Sequence, residues 1–116
     1  MKIKLIHTFL LGLVFSGISF ACPKVSAYDT PEFCGMFESI ARCHCQASGL
    51  SAKMCSNVPL IYSRMLSTFG SIERACRFQK DTTPQNCIDA WQCYLKGGQL
   101  ANGQVCNGTG SPCATI

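Results

Sequence analysis

Apolar positions recur along this chain at three- and four-residue intervals, interrupted by Pro, Gly and Ser, and that rhythm predicts helices rather than strands. Thr30-Pro31-Glu32 reads as a helix start: an N-cap oxygen, Pro at the first helical position, then an acid facing the positive end of the dipole. The helix is expected to run to about Ala47, burying a face made by Phe33, Met36, Phe37, Ile40 and Ala41, and to stop at Ser48-Gly49. Ser51 then caps a short helix through Lys53, Met54 and Cys55 that ends near Pro59. Pro59 opens a further helix, in which Ile61, Met65, Phe69, Ile72 and Cys76 share a stripe and Gly70-Ser71 kinks or divides it. Thr83-Pro84-Gln85 repeats the first start signal and predicts a helix over 84–96 carrying Ile88, Trp91, Tyr94 and Leu95, closed by Gly97-Gly98. Beyond residue 98 the pattern lapses: Asn102-Gly103 is a tight-turn signal and residues 107–112 are loop material.

The first residues follow a different pattern. Lys2 and Lys4 precede an almost wholly apolar run from Leu5 to Phe15, and Ser19 and Ala21 occupy the small-residue positions of an export cleavage site. The run is shorter than the roughly 20 apolar residues of a spanning helix. The expectation is therefore a cleaved signal peptide over 1–21 and one domain over 22–116. Cys22, directly after the cut, opens a second reading as a lipid anchor. Ser19 and Phe20 replace the Leu and small residue usual before a lipidated cysteine. Lipidation there, like cleavage after Ala27, would also leave an odd number of thiols.

Cysteine changes the picture most. All ten cysteines (Cys22, Cys34, Cys43, Cys45, Cys55, Cys76, Cys87, Cys93, Cys106 and Cys113) follow the export segment. At that density in a small exported chain they are expected to form five structural disulfides, with no free thiol. One disulfide contributes about 2–4 kcal/mol, so five supply on the order of 5–10 kcal/mol even if overlapping loops halve the sum. That equals the stability of an ordinary domain. The Gly-rich tail is expected to be closed by Cys106–Cys113. Charge adds little: without residues 1–21, eight Lys and Arg oppose six Asp and Glu. A net of +2 with no basic cluster argues against nucleic acid and anionic membrane as main partners.

Candidate chemistry is sparse. Cys43-His44-Cys45 pairs soft ligands that could begin a zinc or copper site. Neighbours on a helix, however, point about 100° apart, so Cys43 and Cys45 are expected to bond to different segments. No Cys-x-x-Cys redox motif occurs, and no nucleophile motif accompanies His44. The reading is of a non-enzyme with no catalytic residues, no metal and no cofactor.

The export segment, the cysteine-stapled helical body with Cys43-His44-Cys45 and the lack of a catalytic motif together resemble the small exported accessory subunits of the Dot/Icm type IVB secretion outer-membrane complex. That resemblance implies a structural subunit packed against other envelope components near the outer membrane, in the periplasm or associated with that membrane. The expected fold is all-α: three to five short cross-linked helices with an irregular stapled tail. The expected partners are other protein subunits, without a transmembrane span in the mature chain. A secreted binding module, acting as inhibitor or effector, is the alternative. The stretch from Leu60 to Ile72 is apolar over more than one helical face, wider than the stripe of about 100° that a surface helix buries. Its Tyr62, Leu66 and Phe69 are the expected partner contacts.

Overall fold

The computed structural model describes residues 22–79 and 82–113, so the expected signal peptide and its cleavage point lie outside the described residues. Four helices follow in order: α1 (Phe33–Ala47), α2 (Val58–Phe69), α3 (Ile72–Arg77) and α4 (Pro84–Leu95). A short 3-10 turn, Cys106–Gly108, lies in the tail. Among the described residues there is no β-strand, and the sole ladder contact is an isolated antiparallel bridge between Gln99 and Val105. The protein is a small, disulfide-stapled, all-α domain.

The helix ends show how local chemistry sets the elements. Thr83 Oγ1 accepts from Asn86 N at 3.1 Å, with Pro84 at the first helical position of α4. Ser71 Oγ accepts from Arg74 N at 3.2 Å and begins α3, while Gly70 at φ 87° ends α2, so Gly70-Ser71 divides the two helices. Two starts differ from expectation. The cap of α2 is Asn57, whose Oδ1 accepts from Leu60 N at 2.8 Å, and Pro59 sits one residue inside. In α1 the Thr30 side chain makes no cap; Phe33 N donates to the Thr30 carbonyl at 3.1 Å and the helix begins two residues later than the motif implies. The lead before α1 is instead tied to the tail, because Asn107 N donates to the Tyr28 carbonyl at 2.8 Å. Ser51 does cap, accepting from Met54 N at 3.3 Å, but only one turn forms before Asn57 starts the next helix.

Packing runs as a ring. Each helix contacts the next, and α4 returns against α1. Phe33 and Phe37 from α1, Val58 and Ile61 from α2, and Trp91 and Tyr94 from α4 are all buried in a common core. Phe37 is its hinge point: its ring stacks on Tyr94 at 4.7 Å and meets Trp91 edge-on at 4.8 Å and 83°. Such pairs add about 0.5–1.5 kcal/mol beyond area burial.

Disulfides follow the same ring. All ten cysteines are paired. Four bonds link consecutive elements: Cys22–Cys43, Cys45–Cys55, Cys76–Cys87 and Cys93–Cys106, across separations of 21, 10, 11 and 13 residues. The fifth, Cys34–Cys113, spans 79 residues and joins the first turn of α1 to the end of the tail. Cys43 and Cys45 bond to different segments, as their helical spacing requires. The expected Cys106–Cys113 bond is wrong. The tail does not close on itself; it folds back over the end of α4, where Gly98 N donates to the Gly110 carbonyl at 2.7 Å and Cys113 N to the Tyr94 carbonyl at 2.9 Å. That path places Cys106 against Cys93 and carries Cys113 on to Cys34.

Candidate functional site

Between α1 and α2 the domain is incompletely filled. A groove of about 880 Å³ runs between them, walled by Ile40 from α1 and by Ile61 and Met65 from α2, and floored by Trp91 and Ala90 of α4. Its origin lies in the ring arrangement. The groove follows space left between the side chains of the ring, and Cys45 and Cys87, both in disulfides, are among its lining residues. A volume of this size falls within the range of small-molecule sites, which are mostly apolar with a few placed polar groups.

The polar groups here are unequal in sign. Lys24 and Arg64 line the groove, and among its described lining residues there is no Asp or Glu. Arg64 is the notable one: its Nε is shielded from solvent and has no hydrogen-bond partner. An unpartnered buried donor costs about 1–3 kcal/mol, more where the group is charged. Two phenols, the buried Tyr94 and the half-buried Tyr28, have hydrogen-bond partners. Tyr94 donates to Glu38 Oε2 at 2.6 Å, and burial, reinforced by that carboxylate, pushes its pKa far above the ordinary tyrosine range. Tyr28 donates to the Asn86 carbonyl at 3.2 Å and is also raised, by burial first and then by the Asp89 charge.

The three expected contact residues separate in space. Tyr62 turns inward and packs on Trp91 at 5.6 Å, against the core. Leu66 is half-buried and lies outside the core cluster. Phe69, also half-buried, stacks on Phe78 at 5.0 Å, and Phe78 is 69% exposed. Both rings are among the residues that line the groove. Phe78 and Arg64 went unrecognised in the sequence because Phe78 follows the last turn of a helix, off its stripe, and Arg64 reads as a solvated residue on an otherwise apolar helix.

The sulfurs of Cys43-His44-Cys45 are spent in bonds to Cys22 and Cys55. Among the described residues no group of three or more His, Cys, Asp or Glu side chains is placed to hold a metal ion. The Cys22 sulfur, bonded to Cys43, is not available for a thioether-linked lipid while that bond stands. No described helix is long and apolar enough to cross a membrane. Five disulfides indicate an oxidising location outside the cytoplasm. No protein-family model, curated protein or solved structure matches the chain.

Proposed function

We propose that this protein is a non-enzymatic accessory subunit of a bacterial cell-envelope assembly, exported to the periplasm or held at the outer membrane, as in a type IVB secretion complex. It docks through the corner where α2 meets α3. The observation that carries this reading is the aromatic pair at that corner: Phe78, 69% exposed, stacked on the half-buried Phe69. Exposed apolar patches on small domains mark contact surfaces. Stapling by five disulfides supports it further, since a preformed surface loses little conformational freedom on binding.

The test is native purification from envelopes, comparing the unmodified protein with Phe78→Asp and Leu66→Glu. Both variants are expected to be exported, oxidised and helical, yet lost from the high-molecular-weight envelope fraction. A protein that leaves the envelope freely and co-purifies with no envelope subunit would instead be the secreted binding module. Retention of both variants in the assembly would remove this corner as the interface.

A further inference from the structure

The five disulfides are not equally protected. In Cys45–Cys55, Cys76–Cys87 and Cys93–Cys106 both cysteines are buried, and in Cys22–Cys43 the first of the two is. Cys34–Cys113 is the one bond with neither cysteine buried. Its two ends are also held differently. Cys34 is fixed in the first turn of α1, whereas Cys113 ends a stretch, 107–113, in which no residue is buried. That stretch lies over the end of α4, with Gly98 N donating to the Gly110 carbonyl at 2.7 Å and Cys113 N to the Tyr94 carbonyl at 2.9 Å. A segment that buries so little opens at the low end of the local-unfolding scale. Opening it presents the Cys113 sulfur to solvent and leaves the core rings in place. Attack on any of the other four bonds has to reach a pair in which at least one cysteine is packed inside the domain.

We infer that Cys34–Cys113 is a thiol-exchange site, reduced selectively by a dithiol while the other four bonds stay closed. One thiolate of the dithiol attacks Cys113 Sγ. A mixed disulfide forms there, the Cys34–Cys113 bond breaks, and its electron pair leaves on Cys34 Sγ. The second thiolate of the dithiol then attacks its own sulfur in the mixed disulfide and expels Cys113 Sγ. The dithiol is oxidised to a disulfide by two electrons, and the protein gains two thiols once solvent protonates both sulfurs. Cys34 is the better leaving group, because a thiol at a helix N-terminus has a lowered pKa and a lower-pKa thiol leaves faster. The product keeps its helical body stapled and frees the chain beyond Cys106. The bond is thus a redox-operated strap over the end of α4, whether or not the α2–α3 corner docks onto an envelope partner.

The nearest competitor is Cys22–Cys43, which also ties down a segment outside the helices and has one half-buried cysteine. The test therefore maps which pair opens first. The folded, fully oxidised protein is exposed to dithiothreitol without denaturant, and samples are stopped at intervals with excess N-ethylmaleimide. Intact mass counts the labels and peptide mapping places them. The first species is expected to carry two labels, on Cys34 and Cys113, and to form at least about tenfold faster than any species with more. Its far-ultraviolet circular dichroism is expected to match that of the oxidised protein. With glutathione in place of the dithiol, the trapped adduct is expected on Cys113 and the maleimide on Cys34. First labels on Cys22 and Cys43, or on any other pair, overturn the inference. So does loss of all five bonds without a two-label species, and a glutathione adduct on Cys34 overturns the direction of attack.

Discussion

Gly97 is the residue on which the tail's path depends. It follows α4 at φ 68°, in the left-handed region, and a Cβ there would meet the Gly110 carbonyl oxygen and lie 2.7 Å from Pro112 N. These are backbone atoms, and they cannot swing aside. Gly98, also left-handed at φ 84°, faces open space. The two neighbours therefore separate strain from crowding. Gly98→Ala should cost about 1 kcal/mol, the cost of left-handed backbone alone. Gly97→Ala should cost at least about 3 kcal/mol, because the tail must also move. Denaturant midpoints of the two variants at constant m check this.

Tyr94 makes a different residue-scale prediction. Its raised pKa means that the folded chain holds a proton which the unfolded chain releases near the ordinary tyrosine value of 10.0. That contribution to stability is complete below pH 10.0 and declines as pH rises beyond it toward the folded value. Unfolding free energy should therefore fall with alkalinity, and less steeply in Tyr94→Phe. Brief equilibration, with phenolate absorbance as the readout, keeps disulfide loss out of the measurement.

Among the elements, the two matched starts behave unlike one another. Asp29-Thr30-Pro31-Glu32-Phe33-Cys34 and Thr82-Thr83-Pro84-Gln85-Asn86-Cys87 share a layout, yet only Thr83 makes the capping bond. Thr83→Ala and Asn57→Ala should each destabilise by about 1 kcal/mol, whereas Thr30→Ala should stay within about 0.5 kcal/mol. Thermal or denaturant unfolding of the three variants settles the ranking. A sequence reading recognises the motif in both places, because a Thr before a Pro has the same propensity in each. What it misses is that residues 28–31 are already held by the tail. The Tyr28 carbonyl accepts from Asn107 N, and Gly108 lies against the Asp29 backbone, where a Cβ would come within 3.3 Å. Asn57 was missed for the opposite reason: the more conspicuous Pro59 drew the helix start one residue too far along.

For the molecule as a whole, four local disulfides and one ring-closing bond predict unequal consequences. Replacing Cys34 and Cys113 together by Ala should free the tail beyond Cys106 while leaving the helical core formed. The reason is that the core rings of Phe37, Trp91 and Tyr94 make no use of that bond. Hydrogen exchange should then rise at the amides of positions 110 and 113, which donate to the Cys106 and Tyr94 carbonyls, and remain slow in α4. Removing Cys76–Cys87, which clamps α3 to α4 across 11 residues, should instead loosen the corner that carries Phe78. Alkylation without reduction should label no cysteine in the unmodified protein. Peptide mapping should recover a Cys34–Cys113 link and no Cys106–Cys113 link.

Helical periodicity, the Gly70-Ser71 division, the stop at Gly97-Gly98 and the separate partners of Cys43 and Cys45 were determined by sequence alone, because each depends on residues within one or two turns of one another. So was the all-α, disulfide-stapled class. The long-range consequences were decided only in three dimensions. Cys113 finds Cys34 because the tail crosses Gly97, a close approach that no local pattern encodes. Tyr62 turns to Trp91 while Phe69 turns to Phe78, because a helix that is apolar over more than one face takes its inward side from its neighbours rather than from its own sequence. The groove, and the shielded Nε of the half-buried Arg64 in it, belong to no single element. They arise where the side chains of α1, α2 and α4, packed on one another, leave space unfilled, and that space is a property of packing, absent from any single stretch of chain.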